Sequence, residues 1–405
     1  MPTPVEGRIP PRAWVALALG VLTQAAGTVL LSTPAFLIPL LHTQQGVPLA
    51  SAGLFAAAPS LGMVVTLVAW GALADRIGER WVIAGGIGLA GIAIGLGALF
   101  SAGVVVLGIL FFVGGMAAAS CNAASGRLVV GWFPTERRGL AMGIRQMSQP
   151  LGVAIAAVTV PGIASGSGVS AAAGFAAVLC LAMCLLDVLF LRDPARHPST
   201  GYHADAVGNP YRRSGVLARI HAVSLLLVIP QYTLATFGLV WLITDQGLAA
   251  GAAGAIVGGS QFLGAIGRIG SGVLSDGVRS RMRPLRWVAF AAVGAMGLLA
   301  ALDAAHSVAA IALFVLATTI SVADNGLAFT AVAEYAGPRW SGRALGVQNT
   351  GQYLAAFVVG PAAGALIALV GYPLTFVASG LTALVAVPLV PVDSERRAAA
   401  LEGQR

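Results

Sequence analysis

Residues 71–80 run Gly-Ala-Leu-Ala-Asp-Arg-Ile-Gly-Glu-Arg and lie between two long apolar stretches. Residues 272–281, Gly-Val-Leu-Ser-Asp-Gly-Val-Arg-Ser-Arg, repeat the first glycine, the leucine, the aspartate and the last arginine at a constant shift of 201 residues. The chain has 405 residues, so this shift is close to half of its length. A repeat of that length predicts two equivalent helical bundles, in each of which the charged segment is a turn between apolar helices.

The composition excludes a soluble globular protein. Apolar residues make up 58% of the chain and charged residues 9%, whereas a soluble domain has about 25% charged residues. We therefore expect the lipid bilayer as its surroundings. The 23 basic residues, all arginines, are spread over short loops, so the net charge of +8 does not indicate nucleic acid as a partner. The three cysteines lie in apolar stretches and predict neither a disulfide framework nor a metal site, and no cofactor is expected.

The apolar stretches predict twelve transmembrane helices. The first is too long for the core of a signal peptide, so we expect it to be retained. Each of the others is close to or above the ~20 residues that a spanning helix needs. The stretches are 14–41, 50–72, 81–100, 104–131, 140–163, 171–191, 217–243, 249–273, 286–302, 306–332, 343–369 and 372–391.

The arginines give the topology. With a cytoplasmic start, all of them fall in or near inner segments and none in the predicted outer loops, which obeys the positive-inside rule and puts both termini in the cytoplasm. The one long polar segment separates six spans from six. The predicted fold is therefore an all-α membrane protein with twelve transmembrane helices in two bundles. Its predicted parts are a six-helix bundle at 1–192, a cytoplasmic linker at 193–215 and a second six-helix bundle with a short cytoplasmic tail at 216–405.

A second set of repeats lies inside the helices. Gln149 and Gln352 are 203 residues apart, and so are Asn122 and Asn325. Equivalent polar residues thus recur in spans four and ten and in spans five and eleven.

The segment at 71–80 resembles the motif G-x-L-a-D-r-x-G-r of the major facilitator superfamily, in its usual place between spans two and three, with the weaker copy between spans eight and nine. The resemblance covers essentially the whole chain. It implies a secondary transporter of the bacterial inner membrane that works as a monomer by alternating access. One small-molecule substrate would bind between its two halves. No phosphate-binding loop of the G-x-x-x-x-G-K-[ST] type occurs, which argues against an ATP-driven pump.

The charged turns are the predicted inner gate. Gly71 and Gly78 permit a tight reversal, and Asp75 is an anion placed to interact with the positive end of a helix that begins at the same membrane face. The predicted gating residues are Gly71, Asp75, Arg76, Gly78, Arg80, Arg138, Arg145, Asp276, Arg281 and Arg343. The alternative is that these charges set only topology and solubility.

Arg268 is the predicted anion-binding residue. It lies inside span eight, where its counterpart in the first half is Leu67, so the fold itself does not need an arginine there. Gln261 is seven residues earlier on the same helical face. The guanidinium fork suits a carboxylate, and the arginine in span eight resembles that of oxalate/formate-type antiporters and monocarboxylate transporters. A gating role for this arginine is the alternative.

Further polar residues in the spans are candidates for the substrate cavity or for bonds between helices. The complete set of predicted substrate-binding residues is Gln24, Gln149, Gln231, Gln261, Arg268 and Gln352. Asp324, about two turns into span ten, is the candidate for a coupling proton. If it pairs with Arg127 or Arg268, it serves only as an ionised latch.

Two functions fit best: a carrier of a small organic anion, monocarboxylate-like and coupled to protons or working by exchange, or an efflux carrier for amphipathic drugs or metabolites. Span four lacks the arginine and span five the glycine-proline pattern of drug/proton antiporters, which disfavours the second. No convergent set of catalytic side chains is evident, so an enzyme is not expected. A transporter-like sensor would need a larger soluble domain than the linker provides.

Overall fold

The computed structural model describes residues 9–100, 103–133, 135–194, 209–213, 215–278, 280–336 and 340–393. Within these ranges the regular structure is helical and contains no strand. The helices are α1 (Pro11–Gln45), α2 (Leu49–Ile77), α3 (Glu79–Leu99), α4 (Val104–Trp132), α5 (Thr135–Gln146), α6 (Ser148–Phe190), α7 (Pro210–Arg213), α8 (Val216–Thr244), α9 (Ala250–Val278), α10 (Met282–Ala304), α11 (Ala309–Ser321), α12 (Asp324–Ala336) and α13 (Ser341–Leu389).

The helices are long and apolar because a chain in lipid must satisfy its backbone hydrogen bonds internally. Ten segments of the described chain are long and apolar enough to cross a membrane. Two of these, Ala141–Phe190 and Arg343–Leu389, have 50 and 47 residues, far more than the ~20 that one crossing needs. The all-helical membrane fold predicted from composition is confirmed.

Each of the two longest segments turns at a glycine. Gly168 has φ 83° and ψ 177°, and Gly371 has φ 79° and ψ 175°. L-residues with a side chain rarely adopt this backbone conformation. Both glycines fall in predicted outer loops, at 164–170 and 370–371. Each long segment is therefore two helices joined by a turn without an intervening loop, and the count of twelve crossings stays a prediction.

The chain forms two compact units. The first comprises Met1–Thr33, Ala58–Ala156 and Gly166–Tyr202, and the second comprises Pro34–Ala57, Ala157–Ser165 and His203–Arg405. The predicted boundaries at 192 and 215 follow the sequence repeat and stay a prediction. Most of the predicted linker, 195–208, lies outside the described residues.

Small residues let helix backbones touch inside each unit. In the first unit, a Cβ atom on Gly115 would lie 2.1 Å from the carbonyl oxygen of Pro59. In the second unit, a Cβ atom on Gly53 would lie 2.1 Å from the carbonyl oxygen of Gly360. Glycine at these places permits contacts that any side chain would prevent.

Candidate functional site

The predicted span ten is interrupted in its middle. Helix α11 ends at Ser321 and α12 begins at Asp324, and at the turn between them the N–H of Asn325 donates to the carbonyl oxygen of Val322 at 3.4 Å. Arg268 donates from Nε to the carbonyl oxygen of Val322 at 3.2 Å, and Ser271 donates from Oγ to that of Ala323 at 2.9 Å. Two side chains of α9 thus bond to the backbone at this break, which ties α9 to the interrupted span inside the protein.

Asp324, the first residue of α12, is completely buried. Neither of its carboxylate oxygens has a hydrogen-bond partner. Arg268 is the charged side chain that interacts with it electrostatically, together with the backbone N–H groups of Asp324 and Asn325 at the start of the helix. Arg127, the other predicted partner, instead forms an ion pair with Glu79 at 3.1 Å. Of the two partners weighed from the sequence, Arg268 is the one whose charge acts on Asp324, and no ion pair within 4.0 Å joins the two among the described residues.

A cluster of amides lies beside this break in the second unit. Asn325 donates to Oε1 of Gln231 at 3.0 Å, and Gln352 donates from Nε2 to Oδ1 of Asn325 at 2.8 Å and to Ser224 at 3.0 Å. The structure thus brings together two of the predicted substrate-binding residues, Gln231 and Gln352. The sequence repeat singled out Asn325, but not the central position it holds here.

A related cluster lies in the first unit. Gln24 donates from Nε2 to Oδ1 of Asn122 at 2.9 Å, and Ser125 donates to Oε1 of Gln24 at 3.1 Å. Arg145 donates from Nε to Ser125 at 2.9 Å. Asn122 and Asn325 are therefore each hydrogen-bonded to a glutamine, Gln24 of α1 and Gln231 of α8 respectively. Ser125 is a member that the sequence reasoning missed, because a serine in a small-residue helix carries no distinctive signal.

Two predicted substrate-binding residues stand apart from these clusters. Gln149 in α6 and Gln261 in α9 are half-buried, and neither has a hydrogen bond to another described residue. Tyr232 was not predicted, yet its phenol is close enough to Arg268 to interact with it electrostatically. An aromatic residue in an apolar helix gave no signal that distinguished it from a core residue.

The residues of the first charged turn contact their own unit. Gly78 has φ 99° and ψ 162°, which favours glycine at this position. Arg80 donates from its backbone N–H to Oδ1 of Asp193 at 2.7 Å, and its guanidinium donates to the carbonyl oxygen of Val188. Arg127 donates to the carbonyl oxygen of Gly71 at 3.4 Å. The turn is thereby attached to the end of α6 and to α4.

The remaining predicted gating residues are less connected. Arg281 forms an ion pair with Glu334 at 3.3 Å and donates to Ser275 at 2.8 Å. Arg343 is exposed and lies over the ring of Trp340 at 5.0 Å, and Arg76 is exposed at the end of α2. The side chains of three further predicted gating residues lie outside the described part of the chain: Asp75, Arg138 and Asp276.

Membrane-length helices that hold buried polar clusters and an arginine beside a buried carboxylate define a polytopic membrane protein of the transporter class. The sequence model of one protein family, the Major Facilitator Superfamily, matches residues 17–360 of this chain. The chain belongs to this superfamily.

Individual relatives agree with this membership. The chain is 46% identical over 379 residues to an uncharacterised transporter of the superfamily from Mycobacterium tuberculosis H37Rv, covering 94% of this chain and 85% of that protein. It is 27% identical over 390 residues to a probable sulfoacetate transporter from Cupriavidus necator, covering 88% of this chain and 89% of that protein.

Solved structures agree with the fold. A bacterial homologue of the human lysosomal transporter Spinster, crystallised in an inward-facing and unoccupied conformation, superimposes with a TM-score of 0.79. The match has 15% sequence identity and covers 95% of this chain and 97% of that chain. At this identity the likeness concerns the fold alone.

Proposed function

We propose that the protein is a secondary carrier of a small organic anion, coupled to protons or working by exchange, with Arg268 as the group that binds the anion. The observation that carries this proposal is the position of Arg268 at a helix break, where its charge acts on the buried Asp324. A charged pair inside a membrane helix bundle is costly, and such pairs commonly mark the path of a substrate or an ion.

The geometry of Arg268 suits a carboxylate. Its Nε atom is used by the carbonyl oxygen of Val322, and its two terminal nitrogens have no hydrogen bond within the described residues. These nitrogens form the fork that binds a carboxylate through two parallel hydrogen bonds. The bond at Nε fixes the plane of the guanidinium, so the fork is already oriented before a substrate arrives.

Asp324 supplies a reason for coupling. One guanidinium cannot neutralise two carboxylates, so an ionised Asp324 competes with the substrate for Arg268. A proton on Asp324 removes this competition and frees the arginine for the anion. Binding of the proton and of the anion would then favour each other, which is the requirement for symport, while exchange of one anion for another needs no change at Asp324.

The relative from Cupriavidus necator supports the class of substrate. Its name assigns it probable transport of sulfoacetate, a small molecule with a carboxylate and a sulfonate. The 27% identity extends over most of both chains. From this relative we take for our proposal only the class of substrate, a small organic anion such as a monocarboxylate.

The finer topology belongs to the same proposal. We propose that the chain crosses a bacterial inner membrane twelve times as two six-helix halves, with both termini in the cytoplasm, and acts as a monomer. The turns at 71–80 and 272–281 would form the inner gate. The activity would be transport without catalysis of a chemical reaction.

The test is uptake into proteoliposomes. Labelled acetate, lactate, oxalate and sulfoacetate are offered under an inward proton gradient and, separately, to vesicles preloaded with the unlabelled anion. We expect uptake of at least one acid and its loss by about tenfold or more in Arg268→Lys, because lysine lacks the fork. Arg286→Lys, at an exposed position of α10, is the matched control and should transport as the parent does.

Two results would refute the proposal. Transport by Arg268→Lys at the parental rate would exclude the fork as the anion site. Failure to transport any of the acids, together with gradient-driven movement of amphipathic cations, would favour the efflux carrier instead.

A further inference from the structure

The first unit contains a buried acid, Asp187 of α6, to which the proposed function gives no role. Its side chain is completely buried. Thr23 of α1 donates from Oγ1 to Oδ2 of this carboxyl group at 2.8 Å, whereas Oδ1 has no hydrogen-bond partner within the described residues. One oxygen of the carboxyl group is therefore left without a donor in the interior of the unit.

No cation compensates the charge of this carboxyl group in the described part of the chain. Helix α1 contributes the hydroxyl of Thr23, and α4 and α6 contribute two thiols, those of Cys121 and Cys184, which lie close enough to interact with it electrostatically. Arg80 of α3 donates to the carbonyl oxygen of the next residue, Val188, but its charge is not one that acts on Asp187. An ionised carboxylate buried without a cation is costly, and a proton removes that charge.

Asp187 lies in the last turn of its helix. The N–H of Leu191 donates to the backbone carbonyl oxygen of Asp187 at 3.0 Å, and α6 ends at Phe190. With a rise of 1.5 Å per residue, the carboxyl group is only about 5 Å from the end of the helix. The topology proposed above places this end at the cytoplasmic face. A proton needs no cavity, so close packing at this depth does not prevent it from binding.

The sequence repeat supplies an internal comparison. Gly168 and Gly371, which form the turns at the other end of the two equivalent helices, are 203 residues apart. At the same shift the counterpart of Asp187 is Val390, which is 4% exposed and belongs to an apolar core cluster of the second unit. The equivalent helix end thus packs without a carboxyl group, so packing does not explain Asp187.

The bond from Thr23 connects this acid to the polar cluster of the first unit. Thr23 is completely buried and directly precedes Gln24, which donates to Asn122. A hydroxyl binds an ionised carboxylate more strongly than a neutral carboxyl group. A proton on Asp187 would therefore weaken the attachment of α1 to α6 at the residue next to the cluster.

We propose that Asp187 is a further proton-binding site, separate from the anion site, which takes up and releases a proton through the end of α6 and thereby changes the strength of the bond from α1. The chemical step is the transfer of one proton between water and a carboxylate oxygen, with no other bond formed or broken. This inference goes beyond the proposed function, because it needs neither the organic anion nor Asp324.

The experiment is infrared difference spectroscopy of the purified full-length protein between acid and alkaline pH, without substrate. We expect a carbonyl stretching band of a protonated carboxyl group that disappears as the pH rises and that is lost in Asp187→Asn. Asp187→Glu should retain such a band. Thr23→Val, which removes only the hydrogen-bond donor, should change the pH at which the band disappears. Asp193→Asn is the control, since Asp193 lies just beyond the same helix end and accepts from the backbone N–H of Arg80, and it should leave the band unchanged.

Three results would overturn the inference. If every titrating band persists in Asp187→Asn, the proton belongs to another carboxyl group. If the band assigned to Asp187 is present at every pH, the group is permanently protonated and only forms a bond between helices. If Asp187→Asn fails to fold, Thr23→Val decides, because an unchanged titration of all bands in that variant would exclude the site.

The Asp324→Asn variant separates this inference from the proposed function. The band of Asp187 should persist in Asp324→Asn, and its loss there would assign the proton to the anion site and overturn the inference while the proposed function stands. Failure of the protein to transport any of the acids would count against the proposed function alone, because the spectra are recorded without an anion.

Discussion

The pairing of Arg268 with Asp324 can be tested by a double-mutant cycle on stability. In Arg268→Leu, which copies the Leu67 of the first half, the fully buried Asp324 loses the cation beside it. Removing one partner of a buried pair costs about 3–5 kcal/mol. The carbonyl group of Val322 also loses the charged one of its two donors, which costs about 1–3 kcal/mol, while the N–H of Asn325 still donates to it.

The double variant Arg268→Leu/Asp324→Asn should recover most of the first cost, because no unpaired charge remains. Only the lost bond to Val322 should persist, at about 1–3 kcal/mol. We therefore expect a coupling energy of at least about 2 kcal/mol between the two positions, near the upper part of the range for residues in contact. The measurement is denaturant unfolding of the four proteins in detergent at alkaline pH, where carboxylates are ionised.

The reasoning fails if the two substitutions are additive within about 0.5 kcal/mol, as they are for independent sites. Arg286→Leu is the control, since this arginine is exposed and outside the site. Its effect should add to that of Asp324→Asn without coupling.

Three further outcomes are expected. Gly115→Ala should lower stability by about 1–3 kcal/mol in denaturant unfolding, because its Cβ atom would lie 2.1 Å from the carbonyl oxygen of Pro59. Asp324→Asn should keep anion exchange in proteoliposomes but lose accumulation driven by a proton gradient. Burial raises the pKa of Tyr211, so its phenol should stay neutral beyond its ordinary titration range. The neutral phenol bonded to His221 then stabilises the fold at and below the ordinary pKa, and this contribution is lost as the pH rises through the raised value.

Each of these has a result that would contradict it. For the glycine, Gly85→Ala is the control, and equal stability of the two variants would mean that the helices separate without cost. Unchanged accumulation in Asp324→Asn would remove the carboxylate from the coupling step. For Tyr211, an ultraviolet titration that follows free tyrosine would contradict the raised pKa of this half-buried phenol, and Tyr211→Phe should abolish the alkaline loss of stability.

Much of the fold follows from periodic features of the sequence. Gly168 and Gly371 were placed in outer loops because the arginines marked the inner side and the apolar stretches had to be divided. Asn122 and Asn325 were recognised through the repeat alone, without knowledge of any contact. The chain does turn at both glycines, because hydrophobicity and charge decide which part of a chain lies in lipid, and their position on the outer side stays a prediction.

The details of the site were not visible in this way. The helix break before Asp324 follows residues that continue the apolar pattern, and the Asp-Asn-Gly sequence at 324–326 lies within the stretch that hydropathy predicts as one span. Arg268 and Ser271 bond to the carbonyl groups of Val322 and Ala323 at this break, and Ser271 is 52 residues from Ala323 in the chain, so local sequence did not predict the contact. Likewise, the sequence offered Arg127 as a possible partner of Asp324, but a buried glutamate, Glu79, binds it.

The contact between Gly53 and Gly360 has a consequence for how the protein is made. The two glycines are 307 residues apart in the chain, yet their backbones touch within one compact unit. The segment Pro34–Ala57 is synthesised early, whereas α13, the helix that contains Gly360, is synthesised almost last. During most of synthesis this segment must wait in the membrane beside lipid or a chaperone, so premature termination anywhere before Gly360 should leave it exposed to quality-control proteases.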